Sequence, residues 1–576
     1  MIEMMGSLGW IAISASVFAN SAPEAVVPNI PLYGLFETEV INSAIHDNPF
    51  AEVELSAVFA SPSGRQISFP GFYDGNAEDG RNGGVWKQRF MPDEVGSWTY
   101  TLTFSDGQPG KDGSFQCVSE GAKPGLWRQD PDNPRWFRTA NGDHFLPVAM
   151  FANCVYTPID WQDAVEWCKA KGFNTLITRT FNHYVWGEGW KNVTCFATAN
   201  AAQREVGYDR MNLEMWREWD QMILHAGENG IYIGSFEGPC GKYGGQWRGK
   251  YPPSQLVMNP GIRDRFDTQR NLKVIRYLVA RQGAFWNLAY WSLGNTEVYT
   301  YAVADEKEFL EYGEYLASIT PWGRMITGQD AEQWHGENRR WMSKLNIPTS
   351  RKLNTVQTAV ENPNRPSWGK SDIDDTAFRN ARPNNELALD SYGGFPVLTT
   401  EGLWEGQGRA TKPLRIIWGF FAAGAHTMWA DWNYEHPDQH DFGSIGRGWA
   451  PPVKPLDRHQ FQLDQLGVNC VGDDQLKIAT DAMNELRYWR MTPHNKLVAD
   501  STEAYCLAEP GAQYMVYAPN GGAVRLDLSD VQGTYSVEWL DPRTGDHLDL
   551  PSIESGAVCT LDAPDTEDWV LFVTKR

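Results

Sequence analysis

Val397-Leu398-Thr399-Thr400-Glu401-Gly402-Leu403-Trp404 is an apolar run of strand length that stops on a carboxylate and a glycine. Further up the chain, Tyr290-Trp291-Ser292-Leu293-Gly294-Asn295-Thr296-Glu297 follows the same plan. Short apolar runs bounded by turn residues mark buried parallel strands. Working outward from these two, eight such runs can be picked out: 145–151, 175–179, 231–236, 288–293, 324–327, 355–358, 397–400 and 426–430. Amphipathic helical stretches separate most of them, for example 161–171, 213–228, 265–281 and 307–319. Repeated βα units predict a parallel sheet, and eight of them predict a (β/α)8 barrel, here over 130–490. The alternative is an open doubly wound sheet. It is weakened by the lack of a GxGxxG turn after the first run.

On either side the texture changes. From residue 31 to 118, strand-length runs (52–59, 67–69, 86–90, 98–104, 114–118) alternate with turns such as Pro62-Ser63-Gly64, Asp74-Gly75 and Pro92-Asp93. This pattern predicts a β-sandwich over 29–120. After Asn495 short strands return at 514–518, 524–528, 535–540, 559–561 and 569–573, which predicts a second sandwich over 496–576. At the start, the apolar stretch 8–19 followed by Asn20-Ser21-Ala22-Pro23 reads as a cleaved leader over 1–22 and a secreted or periplasmic protein. Glu3 and the lack of any Lys or Arg before the stretch keep a cytoplasmic location open.

Composition narrows the partners. A formal net charge of −22, with no Lys/Arg-rich run, sets the surface against phosphate backbones, so nucleic acid is excluded as a partner. No later apolar run is long enough to span a bilayer, so no membrane insertion is expected. Cysteines at 117, 154, 168, 195, 240, 470, 506 and 559 include no CxxC pair and no Cys/His zinc spacing, so no metal or other cofactor is expected. Aromatic residues reach 13%, with 26 Trp, which suits the apolar faces of sugar rings or a large core. The sequence carries no signal for the oligomeric state.

In a barrel of this kind the reacting groups stand at the C-terminal ends of strands. Glu297 follows the fourth run and Glu401 the seventh. Glycoside hydrolysis needs two such carboxyl groups, one to protonate the leaving oxygen and one to meet the anomeric carbon. Other strand ends offer supporting groups: Arg179, Asn182 and His183 after the second run, Glu237 after the third and Asn295 beside Glu297. Trp429 and Trp432 belong to the eighth run and its continuation, where a stacking platform under a sugar would lie. Trp404, with Trp186, Trp190, Trp247 and Trp334, falls in strand-to-helix connections that can line outer subsites. Arg339, Arg340, Arg351, Arg365, Arg379 and Arg382 crowd one stretch of this acidic chain and read either as solvated charge or as a sulfate- or uronate-binding cluster.

The pair at runs four and seven resembles clan A of the glycoside hydrolases, the retaining barrel superfamily, and within it the apiosidase-like and related barrels. Phe69-Pro70-Gly71-Phe72-Tyr73-Asp74-Gly75, Arg89-Phe90-Met91-Pro92 and Gly96-Ser97-Trp98-Thr99-Tyr100 resemble the N-terminal sandwich domain of unknown function found ahead of many bacterial glycosidase barrels. Trp539-Leu540-Asp541-Pro542-Arg543-Thr544-Gly545 and Asp568-Trp569-Val570-Leu571 resemble the C-terminal sandwich known as a collagen-binding-type domain. The resemblance implies Glu297 as acid/base, Glu401 as nucleophile and Arg179 as the cation that keeps Glu401 ionised. It further implies a β-linked oligo- or polysaccharide of plant or algal origin as substrate, attacked at a chain end or as a short oligosaccharide. One departure stands out: clan members commonly carry Asn directly before the acid/base, where this chain has Thr296. The rival reading is a non-catalytic carbohydrate-binding or adhesion protein on a degenerate barrel. A polysaccharide lyase is less favoured, because no Tyr, His or Lys base stands out beside a uronate-neutralising cation.

Overall fold

The computed structural model describes residues 27–76, 83–151, 161–178, 185–186, 195–200, 205–235, 256–257, 268–295, 306–330, 337–357, 380–401, 403–405, 412–431 and 471–576. The leader read at 1–22 lies outside them.

Each of the eight runs contributes a strand to one parallel sheet, the first only from Ala149, since its start at Phe145 pairs antiparallel with Phe137: β1 (Ala149–Phe151), β2 (Thr175–Thr178), β3 (Tyr232–Ser235), β4 (Leu288–Asn295), β5 (Met325–Asp330), β6 (Asn354–Gln357), β7 (Val397–Glu401) and β8 (Met428–Asp431). Between them run α1 (Trp161–Lys171), α2 (Leu213–Glu228), α3 (Thr268–Gln282), α4 (Glu306–Ser318), α5 (Glu337–Lys344), α6 (Ala381–Ser391) and α7 (Pro413–Ala422), and α8 (Gly472–Glu485) follows β8. The ladder order is β7-β6-β5-β4-β3-β2-β1-β8, and a short strand the sequence did not announce, Leu403–Glu405, pairs in parallel beside β8. The sheet is therefore nine-stranded, not the continuous ring of eight that was expected. Its far end still meets the start of β8: Thr399 N donates to the His426 carbonyl at 3.0 Å and His426 N to that of Val397 at 2.9 Å, around a Leu398–His426 bridge.

Each helix returns the chain to the edge where the next strand begins. The returns are tight, at 172–174, 229–231 and 283–287, and Gly172 and Gly230 make the first two possible by taking φ of 74° just past a helix end. Asparagines fasten this end of the sheet. Asn174 donates to the Leu146 carbonyl at 2.9 Å and accepts from Val148 N at 2.8 Å, while Asn287 donates to Ile223 and Ile231 carbonyls at 2.7 and 3.1 Å. The outgoing connections, from strand to helix, are far longer: 179–212, 236–267, 358–380 and 432–471.

The N-terminal residues form two sheets, one of Asn29–Pro31, Lys111–Val118, Gly96–Phe104, Leu55–Ala60 and Gln66–Pro70, the other of Phe36–Asn42, Gly84–Phe90 and Phe72–Asn76. Stacked rings join them face to face, Phe59 on Phe90 at 3.8 Å and Phe36 on Phe115 at 4.4 Å. The run read as a strand over 52–59 is split, with a helical turn at Pro49–Glu52 before the strand starts at Leu55. This body grips the central one through buried charge. Arg281 of α3 pairs with Asp74 at 2.8 Å and with Asp220 of α2 at 2.9 Å, while Arg89 pairs with the same Asp220 at 2.9 Å and with Glu37 at 2.7 Å. Phe72 lies under both guanidinium groups. Burial alone would raise the pKa values of Asp74 and Glu37. The surrounding cations, led by Arg281 for Asp74 and Arg89 for Glu37, outweigh it and hold both below the ordinary carboxylate value.

The C-terminal residues form a six-stranded sheet (Thr492–Pro493, Tyr505–Glu509, Gln513–Ala518, Trp569–Lys575, Thr534–Leu540, His547–Glu554) and a two-stranded one (Ala523–Asp527, Val558–Asp562) around a core of their own. Arg415 of α7 reaches across to Asp568 at 2.8 Å. Among the described residues, Cys117, Cys195, Cys506 and Cys559 form no disulfide.

His426 sits at the β7–β8 meeting point, fully buried against Trp136 and Phe137, with Nε2 3.2 Å from the Arg135 carbonyl. Burial pushes its pKa down to about 4, only partly offset by that carbonyl. The folded state therefore keeps the ring neutral where the unfolded chain, with a pKa of ~6.5, would bind a proton. The stability this gives is whole above pH ~6.5 and is lost as pH falls toward the folded value. Unfolding free energies of wild type and His426→Gln, measured in urea across that window, should converge by roughly 1.4 kcal/mol per pH unit on acidification. Parallel pH profiles would show that His426 is not the group responsible.

Candidate functional site at the C-terminal rim of the parallel sheet

Because every strand of the sheet runs the same way, all its C-terminal ends lie on one rim, and the long outgoing connections leave from there. β4 shows how side chains are sorted along the way. Leu293 packs toward Gly313 of α4, so Tyr290 and Ser292 face away from the helices, and the Tyr290 ring lies against Gly234 of β3 and Trp127. The strand ends at Asn295, in register with Gln329 of β5, and Glu297 follows two residues on, outside the described residues. β7 ends on Glu401 itself, in register with Gln357 of β6. The backbone thus brings Asn295 and Glu401 to the same rim.

Arg179 comes directly after β2, Glu237 two residues after β3 and Trp432 directly after β8. These three, with Asn182 and His183, lie outside the described residues. Trp404 sits in the added strand Leu403–Glu405, in register with Ala430.

Trp429 is not at the mouth. Its ring is fully buried and stacks on Trp167 of α1 at 5.3 Å, with Phe173 edge-on. In β8 its side chain faces the helices, and a stacking role under a sugar is withdrawn. The high Trp content has the same explanation in large part: Trp98, Trp127, Trp136, Trp216, Trp219, Trp291, Trp418 and Trp539 are all fully buried as well. The arginine-rich stretch also divides. Arg351 spends its donors on the carbonyls of Ala317, Thr320 and Arg324, and Arg382 lies beside Tyr505 and Glu503 of the C-terminal sheets. Arg351 is thereby spent, while Arg365 and Arg379 lie outside the described residues.

Two strand-end carboxylates escaped the sequence reading. β5 runs on past Thr327 to Gln329-Asp330, and β8 closes on Asp431. The signal was in the sequence, since Met325-Ile326-Thr327-Gly328-Gln329-Asp330 ends on a carboxylate as Val397–Glu401 does. Among the described residues no group of three or more His, Cys, Asp or Glu is placed to hold a metal, and no helix is long and apolar enough to cross a membrane.

With this geometry in hand, known proteins give a consistent fold. Residues 29–105 match "Domain of unknown function (DUF5060)" and residues 492–574 match "Putative collagen-binding domain of a collagenase". No curated protein sequence matches the chain. Among solved structures, a "putative glycoside hydrolase" from Bacteroides vulgatus covers 95% of this chain and 100% of its own, with a TM-score of 0.67 at 16% identity. A structure called "Glycoside hydrolase" covers 79% of this chain and 98% of its own (TM-score 0.57, 16% identity). A glycoside hydrolase family 5 protein, also from Bacteroides vulgatus, covers 78% and 93% (TM-score 0.54, 16% identity). At that identity the likeness is one of fold.

The two places for Trp429 differ in consequence. As a core residue, Trp429→Ala should cost about 3–5 kcal/mol of unfolding free energy in denaturant titration. A ligand platform would instead lose affinity with little change in stability.

Proposed function

We propose that the chain is a retaining glycoside hydrolase acting on a β-linked oligo- or polysaccharide, with Glu297 as acid/base and Glu401 as nucleophile. The observation that supports this reading is the rim: β7 ends on Glu401, β4 ends at Asn295, two residues before Glu297 in the sequence, and both strand ends lie on the same edge. The fold shared with structures named as glycoside hydrolases supports it. In this reading the His426 hydrogen bonds are the closing seam of a (β/α)8 barrel over 130–490, and sandwiches over 29–120 and 496–576 flank it.

The chemistry follows from the two positions. Glu401 attacks the anomeric carbon while Glu297 hands its proton to the leaving oxygen. Water then releases the sugar from Glu401 as Glu297 takes the proton back. Glu297 must therefore hold a proton at working pH and Glu401 must not, and Arg179, one residue past the end of β2, is the cation proposed to keep Glu401 ionised. The length of the connections that leave the rim suits a walled pocket, and with it action on chain ends or short oligosaccharides of plant or algal origin.

Aryl β-glycosides and plant and algal oligosaccharides, read by product mass and by NMR of the anomeric proton, test the reading. Glu401→Ala should abolish turnover on every substrate, with rescue by azide. Glu297→Ala should still release phenol from an activated aryl glycoside in a burst, and azide should speed the later phase with retained configuration. The two carboxyl groups should lie about 5–5.5 Å apart in a crystal structure, against about 6.5–9.5 Å for inversion. An inverted product would remove Glu401 as nucleophile, and near wild-type turnover of Glu297→Ala on a natural oligosaccharide would move the acid role to Glu237. Binding without hydrolysis throughout would favour the non-catalytic carbohydrate-binding reading.

A further inference from the structure

We infer that the N-terminal sandwich fixes one wall of the rim, through a clasp in which Asp47 and Asn48 hold a hairpin of the β2–α2 connection. Only the kinetic consequence of this inference rests on the glycosidase reading.

The hairpin consists of Phe196–Asn200 and Glu205–Met211, paired antiparallel. Its base is pinned to α2, where the Cys195 carbonyl accepts from Asn212 N at 2.9 Å and from Trp216 Nε1 at 3.0 Å. The N-terminal end of α2 lies on the rim side, because the helices run back against the strands. The hairpin therefore stands beside the rim and not under the sheet. Its outer strand is gripped by the sandwich. Asn48 Nδ2 donates to the Asp209 carbonyl at 3.0 Å and to its carboxylate at 3.2 Å, and the Arg210 guanidinium donates to the Asp47 carbonyl. The gripping segment is braced in turn: Asn48 N donates to Glu52 at 2.9 Å, and His46 sits between Asp106 at 2.9 Å and Glu52 at 3.4 Å.

Upstream in the same connection, Val185–Trp186 pairs antiparallel with Leu256–Val257 of the β3–α3 connection, Val185 opposite Val257 and Trp186 opposite Leu256. Two long segments leaving neighbouring strands are thus tied to each other, and one of them is tied to the sandwich. A four-residue ladder alone is a weak constraint on segments as long as 179–212 and 236–267, since closing a long loop costs entropy that two pairs barely repay. With its base fixed to α2 and its outer strand to the sandwich, the hairpin is held from two sides. Asp47 and Asn48 are positioning residues here, acting through the hairpin on the ladder.

The test is the double variant Asn48→Ala/Arg210→Ala, the first side chain half-buried and the second exposed, with Val58→Ser on the outward face of the same sandwich as control. Hydrogen exchange should quicken, by roughly tenfold at local openings, at 205–211 and also at 185–186 and 256–257, with β1 to β8 unchanged. On a parent enzyme that hydrolyses glycosides, KM for oligosaccharides should rise on the order of tenfold while kcat and KM for a single-sugar aryl glycoside stay within about twofold. The control should move neither readout. Loosening confined to 205–211, with 256–257 as protected as before, overturns the inference, as does an unchanged oligosaccharide KM in an active enzyme. A parent that hydrolyses no glycoside defeats the glycosidase reading alone, and the exchange pattern still decides the clasp.

Discussion

A strand can lie parallel to the one before it only if the chain first crosses back to the starting edge, and here a helix does so after each of the first seven strands. Everything else follows from that constraint. It puts the ends of β4 and β7, far apart in sequence, on one rim, and it makes the two rims chemically different. At the starting edge the turns are short, and Asn174 and Asn287 satisfy backbone groups of neighbouring elements. That edge has no room to vary. At the other, a connection can lengthen without disturbing the ladders, and 179–212, 236–267 and 432–471 have done so.

The flanking bodies are joined to this frame by different means. The N-terminal one meets α2 and α3 through the Arg281–Asp74–Asp220–Arg89 cluster, in which each guanidinium and carboxylate has more than one partner. Such a cluster adds little net stability over an apolar contact of the same shape, but removing one member strands the others, at a cost of about 3–5 kcal/mol. It is therefore better suited to fixing orientation than to holding bodies together. The Phe69–Gly75 stretch that resembles a domain signature is part of this joint, since Phe72 lies beneath the guanidinium groups and Asp74 between Arg281, Lys87 and Arg217. At the other end, a smaller joint, Arg415 with Asp568 and Tyr517, serves the C-terminal sheets.

How much of this was legible depended on whether a residue's neighbours were local. The eight strands and the helices α1 and α2 were readable to within a few residues, because apolar runs and helical periodicity are set by the segment itself. The strands missed, Phe36–Asn42 and His547–Glu554 among them, carry polar residues on an exposed face or edge and so dilute the apolar signal. Trp429 and Arg351 were misread for a different reason. Which way a side chain faces on a strand buried on both sides, or which carbonyls lie near a guanidinium, is a property of the packed neighbours and has no trace in the sequence. The added strand Leu403–Glu405 is of the same kind, since its partner is β8 and not the strand it follows.

The polar strand ends carry the argument to the site. Within the sheet, polar side chains pair with one another or with the backbone, as Thr327 does with Thr355 and Thr399 with Thr427. A carboxylate at the centre of an apolar ladder is costly without a partner cation, so acidic residues belong at the ends of such strands. β5, β7 and β8 all end so, on Asp330, Glu401 and Asp431, and the paired ends Asn295–Gln329 and Gln357–Glu401 add amides beside them. The residue types at these strand ends, amides and carboxylic acids, differ in kind from the apolar ones that fill the strands below them. On the proposed reading, the resemblance at strands four and seven is what sets Glu401 apart from Asp330 and Asp431 as the group to meet a developing positive charge.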